Sequence, residues 1–454
     1  MPSTAFAWII LTATTYVLPS ADDPSDGWTT AAPRDEVKPT FRYEPEGGRE
    51  GHGSFVIEAD DREGLHGSWS RTFPVEGGRT YAVRAYRKTE GVATPRRSAF
   101  LKLTWLDDQG RKRPESRGVV RNFLKGFSAQ AESEFPGDGA TDARGWTEVS
   151  EAYPAPEGAT RVRVELCLLW APPKGRVAWS DVAFDEVAGI EPRIVRLATV
   201  HYRPKSGTTA AEKREQFEPL IADVARQKAD LVVLPETLTY YNAGKSMADV
   251  AEPIPGPSTE YFGELARRYN LYIVAGLVER ADHLIYNVAV LIGPDGQIAG
   301  KYRKVCLPTG EVEAGLAPGN DYPVFETRFG KVGMMVCYDG FFPEVARALT
   351  TRGAEVIAWP VWGCNPELAR ARASENHVYL VSSTYEDISS RWMISAVYDH
   401  TGEPIAHATL WGTTAVAEVD LNAPTRWPSL GDFRSKVLRH RPAAIGEPVA
   451  PGGR

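Results

Sequence analysis

The sequence predicts two folds in series, an all-β sandwich followed by an α/β domain, and two observations carry that prediction. Over residues 27–188, short runs alternate apolar and polar side chains with period two, as in TYAVRAY (80–86), AFLKLTW (99–105) and RVRVELC (161–167), with turn clusters EGGR, DDQG and PPKG between such runs. Period two marks a strand with one buried face, and regular turns between such strands mark a sandwich. Beyond GIEP (189–192) the pattern changes to short apolar strands alternating with segments of helical period, which marks an α/β domain. At 454 residues the chain is also too long for one ordinary core.

The elements follow in order. Residues 1–21 hold an apolar stretch, AFAWIILTATTYVL, followed at once by DDPSD. It is shorter than the roughly 20 apolar residues of a membrane span and suits the core of an export signal. The expectation is a leader at 1–21, a periplasmic or extracellular destination, and no membrane span in the mature chain, the alternative being a mis-started or disordered segment on a cytoplasmic protein. The sandwich takes 22–189, with no helix expected in it. The α/β domain takes 190–425 and opens with a strand at 194–201. TAAE (209–212) is then a capping box. The helix it opens carries Phe217, Leu220, Ile221, Val224 and Ala225 on one face, and Pro219 either kinks it or sets a later start. LVVL (231–234) is a buried strand, followed by a helix at 259–269, a strand at 271–278 and a hairpin turning at GPDG (293–296). Helix 343–351 leads to strand 355–360, helix 367–376 to strand 378–382, and a last hairpin turns at DHTG (399–402). The tail, 426–454, is rich in Pro, Arg and Gly and is expected to wrap the surface or a partner subunit.

Composition narrows the partners. The formal charge is −7, and no long block of Lys and Arg appears, so a nucleic-acid footprint is not expected. Cys167, Cys306, Cys337 and Cys364 show no C-x-x-C spacing and no histidine cluster beside them, so neither a metal site nor a disulfide framework is expected.

Three residues of the α/β domain stand where chemistry gathers. Glu236 follows Pro235 at the end of the strand in LVVLPET, Lys304 ends a hairpin strand in GKYRKVCLP, and Cys337 ends the run GMMVC. The carboxyl ends of strands in an α/β sheet are where ligands bind. Alone, Cys337 reads as a buried filler before it reads as a nucleophile, since free cysteine packs as a small hydrophobe. With a carboxylate as base and an ammonium to support an oxyanion, it reads as a nucleophile.

LVVLPET, KYRKVCLP and GMMVCYDGFFPE resemble, in the same order, the three signature segments of the nitrilase superfamily, the carbon-nitrogen hydrolases. The resemblance runs from about 193 to 421 and takes in RARASENHVYLVSS (370–383). It implies an α-β-β-α sandwich with Glu236, Lys304 and Cys337 as catalytic triad, a thioester intermediate, no cofactor and no metal. A second glutamate assists in this family, and both Glu311 and Glu313 fit its place before Pro318-Gly319. Tyr338 and Asp339 are expected to line the site, with the Tyr338 amide as oxyanion donor, and Trp362 is either a substrate wall or simple packing. Cys306 and Cys364 read as structural, with Cys364 semi-exposed near the pocket mouth. His377 reads as surface, and Arg96-Arg97 and Arg267-Arg268 as solvated faces. A homodimer is expected.

Cys337-Tyr338-Asp339 resembles the amidase and carbamoyl-amide branches more than the nitrile-cleaving one, so a small amide or N-carbamoyl substrate is expected. Nitrile hydrolysis, and a binding protein on a dead hydrolase fold, stand as alternatives. The front domain resembles β-sandwich modules that bind carbohydrate, through GRVAWSDVAF (175–184), with Trp69, Trp105, Trp146, Trp170 and Trp179 available to stack on a sugar ligand or to fill a core.

Overall fold

A computed structural model describes residues 27–120, 131–428 and 430–442. The expected leader, 1–21, lies outside the described residues. Two compact units emerge, one of Met1–Glu191 with Pro424–Arg454 and one of Pro192–Ala423.

The first unit is a β-sandwich. One sheet orders Thr29–Ala31, Leu65–Pro74, Arg161–Ala171 and Leu101–Leu106; the other orders Thr40–Glu44, Ser54–Glu58, Arg176–Val187, Thr80–Glu90, Thr147–Pro154 and Gly137–Thr141. Alternation sorts the faces, as period two requires. Val162, Val164, Leu166 and Leu168 of one sheet meet Tyr81, Val83 and Ala85 of the other in a shared core. Trp69, Trp105, Trp146 and Trp179 are buried, and Trp170 alone of the five tryptophans is exposed.

Two expectations for this unit need correction. A one-turn helix, Pro95–Ser98, interrupts the all-β run, because the fixed φ of Pro95 and its missing N–H suit a first helical turn. Arg96 is no solvated side chain. It donates to the carbonyls of Leu438 (2.8 Å) and Arg439 (3.0 Å) at the end of the tail helix Phe433–His440. Unpaired carbonyls and the negative end of the dipole favour a cation there. Arg439 reaches over the rings of Phe100 and Phe135, at 3.6 and 4.2 Å, so the described tail packs within this unit. Arg97, Arg267 and Arg268 are exposed.

The second unit has four layers. One six-stranded sheet orders Ile298–Arg303, Leu284–Ile292, Tyr272–Ala281, Leu231–Val233, Ile194–His201 and Thr413–Asp420. The other orders Val324–Glu326, Lys331–Met334, Val356–Pro360, Tyr379–Ser383, Ser395–Tyr398 and Pro404–Ala408. Their inner faces share one core, in which Val195, Leu197, Leu231 and Val233 meet Val332, Met334, Val336 and Ala358. The alternate residues face helices. Val232 and Leu234 pack with Phe217, Ile221 and Phe262, and Met335 and Ile357 with Val345, Leu349 and Ala373. This is the α-β-β-α sandwich, and strand parity alone assigns each side chain to a layer. Thr209 and Glu212 form the capping box, after which Pro219 sets a separate helix, Glu218–Arg226, rather than a kink.

Candidate active site

Strand ends of both sheets bring the site together. Pro235 ends the strand Leu231–Val233, and Glu236 follows it, 2% exposed. The turn closes tightly on Gly276, where an added Cβ would lie 2.6 Å from the Glu236 Cα. Lys304 follows the strand Ile298–Arg303, 1% exposed, with its amide donating to the Asn287 carbonyl at 2.9 Å. Cys337 follows the strand Lys331–Met334 and opens a short 3-10 turn at φ 40°, in the left-handed region that costs a side chain strain.

Four of the buried side chains close a ring. Lys304 Nζ donates to Glu236 Oε1 (3.0 Å) and Glu311 Oε1 (2.6 Å), and Asn287 Nδ2 donates to the same two oxygens at 2.7 and 3.0 Å. Glu236 Oε2 and Glu311 Oε2 are buried and take no hydrogen bond from the protein. The Tyr385 hydroxyl donates to the Glu236 carbonyl at 2.8 Å. The Cys337 thiol lies 3.6 Å from the Gly363 carbonyl oxygen, and the Trp359 indole N–H donates to the Cys337 carbonyl at 3.2 Å.

The charges act on one another across this cluster. Burial pushes the Cys337 thiol well above its ordinary pKa and Glu236 adds to that, while Lys304 and the amides of Trp362 and Gly363 pull it back. Burial opposes the Lys304 ammonium, yet Glu236, Cys337 and Glu311 together hold it charged, well above the usual lysine range. Burial raises the Glu311 carboxyl against the pull of Lys304. The site therefore rests with a neutral thiol beside a charged lysine.

Of the paired alternatives, Glu311 is in the ring, and Glu313 is exposed on the far side of the short helix Thr309–Glu313. Asp339 does not line the site. Its Oδ1 accepts from the Cys306 amide (2.8 Å), and its Oδ2 from the Tyr302 hydroxyl (2.8 Å) and the Val336 amide (2.9 Å), so the wholly buried carboxylate braces the turn from within. Tyr338 is half-buried, its ring 5.3 Å from those of Phe341 and Phe342. Trp362 is 37% exposed and packs edge-on or tilted against Tyr241 (5.1 Å) and Tyr385 (5.3 Å), next to the Gly363 that touches the thiol.

Two further readings fail on burial. Cys364 is fully buried rather than semi-exposed, and burial pushes its thiol up to about 12. His377 is buried at the left-handed cap of helix Pro366–Asn376, stacked on His400 at 4.6 Å, because the chain turns inward there to start the strand Tyr379–Ser383. Cys306 is half-buried, with its amide tied to Asp339, and all four cysteines are free. Sequence reasoning missed Asn287. Its signal is a lone amide side chain inside the otherwise buried run IYNVAVLI (285–292).

Comparison with known proteins places the chain among relatives. The carbon-nitrogen hydrolase family pattern matches residues 196–429. A nitrilase of Pyrococcus abyssi is 44% identical over 198 residues, which cover 42% of this chain and 74% of that protein. Omega-amidase NIT2 of Xenopus tropicalis is 32% identical over 225 residues, covering 44% of this chain and 80% of the relative. Saccharomyces cerevisiae Nit3, a solved member of branch 10 of the nitrilase superfamily, aligns at 25% identity and a TM-score of 0.44, over 51% of this chain and 91% of its own. With the family pattern covering residues 196–429, just over half of the chain, the chain belongs to the carbon-nitrogen hydrolase family and is an enzyme that hydrolyses carbon–nitrogen bonds.

Proposed function

We propose that the protein hydrolyses a small primary amide or N-carbamoyl compound, with Cys337 as nucleophile, Glu236 as base and Lys304 as oxyanion support. The observation that carries this reading is the ring itself, which holds a charged lysine between two carboxylates beside a cysteine at a strained strand end.

Glu236 Oε2 takes the thiol proton as sulfur bonds to the carbonyl carbon. Two of the three Lys304 protons are engaged by the carboxylates, which leaves the third for the oxyanion, together with the Tyr338 amide. The proton passes to the leaving nitrogen, the C–N bond breaks, and ammonia or an amine departs from a thioester. Water, deprotonated by Glu236, then attacks the thioester and releases the acid and the thiol.

An amide suits the site better than a nitrile. The unengaged Oε2 atoms of Glu236 and Glu311 are acceptors, which a substrate –NH2 satisfies and a nitrile nitrogen does not. The test is ammonia release from a panel of primary amides, N-carbamoyl compounds and nitriles, with Cys337→Ala in parallel. Amide turnover lost in the variant is the expected result. Turnover that survives the substitution, or a clear preference for nitriles, overturns the reading.

A further inference from the structure

Counting donors and lone pairs around the ring gives Asn287 a part of its own. Each Oε1, of Glu236 and of Glu311, takes one hydrogen bond from Lys304 and one from Asn287. A carboxylate oxygen so engaged offers no lone pair for a proton. The orientation of the Asn287 amide follows from the same ring, because its oxygen in place of its nitrogen would face two carboxylate oxygens. Both Nδ2 protons are spent, and the side chain is wholly buried on the strand Leu284–Ile292.

We propose that Asn287 is a positioning residue that confines the movable protons of the site to Glu236 Oε2 and Glu311 Oε2. This rests on the reading of Glu236 as base. With Oε1 closed, the proton leaving Cys337 has one oxygen of Glu236 to go to, and the same oxygen returns it to the leaving nitrogen. Asn287 also shares with Lys304 the task of solvating two neighbouring anions, so the third Lys304 proton stays available to the substrate. Removing the amide strips one donor from each carboxylate, which raises their proton affinity and opens the wrong oxygen.

The other groups facing the carboxylates do not substitute for it. Glu236 interacts with Lys304, Cys337, Cys364 and Tyr385, and Glu311 with Lys304 and Glu236. The Tyr385 hydroxyl is committed to the Glu236 main-chain carbonyl, and the two thiols are acids themselves.

The test compares Asn287→Leu, which removes the donors at similar volume, with Asn287→Ser, which keeps one smaller donor. On the full chain, kcat, KM, the pH dependence of kcat/KM and the rate of Cys337 alkylation by iodoacetamide are measured, with melting temperature as the folding control. The leucine variant is expected to lose about 10–100-fold in kcat, as for loss of an outer orienting partner, at little change in KM. Its acidic limb is expected to move up by about one pH unit, with the serine variant between it and the parent. A fall in kcat with an unmoved pH profile overturns the proposal in favour of plain packing. If the leucine variant does not fold, the serine variant decides by the same shift, and a parent-like profile there overturns it. Amide turnover that survives Cys337→Ala refutes the underlying reading and this proposal together, whereas turnover lost in Cys337→Ala but unshifted at Asn287 refutes this one alone.

Discussion

Lys304 Nζ stands 2.6 Å from Glu311 Oε1, while Glu313, two residues further along, is exposed. The pair predicts a sharp difference between two neighbouring substitutions. Glu311→Gln is expected to lower kcat/KM by about 100-fold or more, because it removes one of the two anions that hold Lys304 charged and an acceptor for substrate N–H. Glu313→Gln is expected to stay within about twofold of the parent, as for an isolated surface change. Equal effects on ammonia release at the two positions would sink the assignment.

The turn that carries Cys337 has no room at Gly340, where an added Cβ would lie 1.9 Å from Trp359 Cζ2. Trp359 in turn holds the Cys337 carbonyl. Gly340→Ala is therefore expected to cost about 1–3 kcal/mol in urea unfolding and to change the alkylation rate of Cys337. A variant with parent-like unfolding and labelling would show that Trp359 does not brace the turn.

Buried thiols set an alkaline limit on stability. Burial pushes Cys167 and Cys364 from the ordinary 9.0 to about 12. The unfolded chain ionises first, so the stability these thiols contribute is complete below about pH 9 and is lost as pH rises towards about 12. Melting temperature is expected to fall across that window, and Cys167→Ala and Cys364→Ala are expected to flatten the fall, read against each variant's own value at neutral pH.

Glu134 sets a second window, in the first unit. Burial pushes its carboxyl from 4.5 to about 7, against the pull of Arg426, whose Nε lies 3.4 Å away. The folded state binds this proton more tightly than the unfolded one. Its contribution is complete below about pH 4.5 and lost as pH rises to about 7. Glu134→Gln is expected to flatten the melting profile of the protein between those values, and an unchanged slope would contradict it.

Local pattern made much of both units legible. The period-two run at 161–167 and the alternation of LVVL with helical segments report which face of each element is buried, because strand and helix geometry repeat every few residues. Strand ends were legible for the same reason, and with them the positions of Glu236, Lys304 and Cys337. What those positions become in space was not. Glu311 and Glu313 look equivalent in sequence, since both precede Pro318-Gly319, but the turn of one short helix sends one to Lys304 and the other to solvent. Asp339 looks like a site residue because it follows Cys337 closely, yet the Tyr302 hydroxyl, the Cys306 amide and the amide of Val336 at the start of its own turn take both its oxygens.

The sequence by itself determined the order of domains, the α/β character of the second unit and the three strand ends that bear Glu236, Lys304 and Cys337, because each of these depends on residues close together in the chain, whereas its four layers were implied only by the family resemblance. Only the tertiary structure decided the partners. Arg96 finds carbonyls 342 and 343 residues away, Asn287 finds Glu236 across 51 residues and Glu311 across 24, and His377 turns inward to His400. Such pairings depend on where strand ends meet once the sheets have packed, and no local period encodes that.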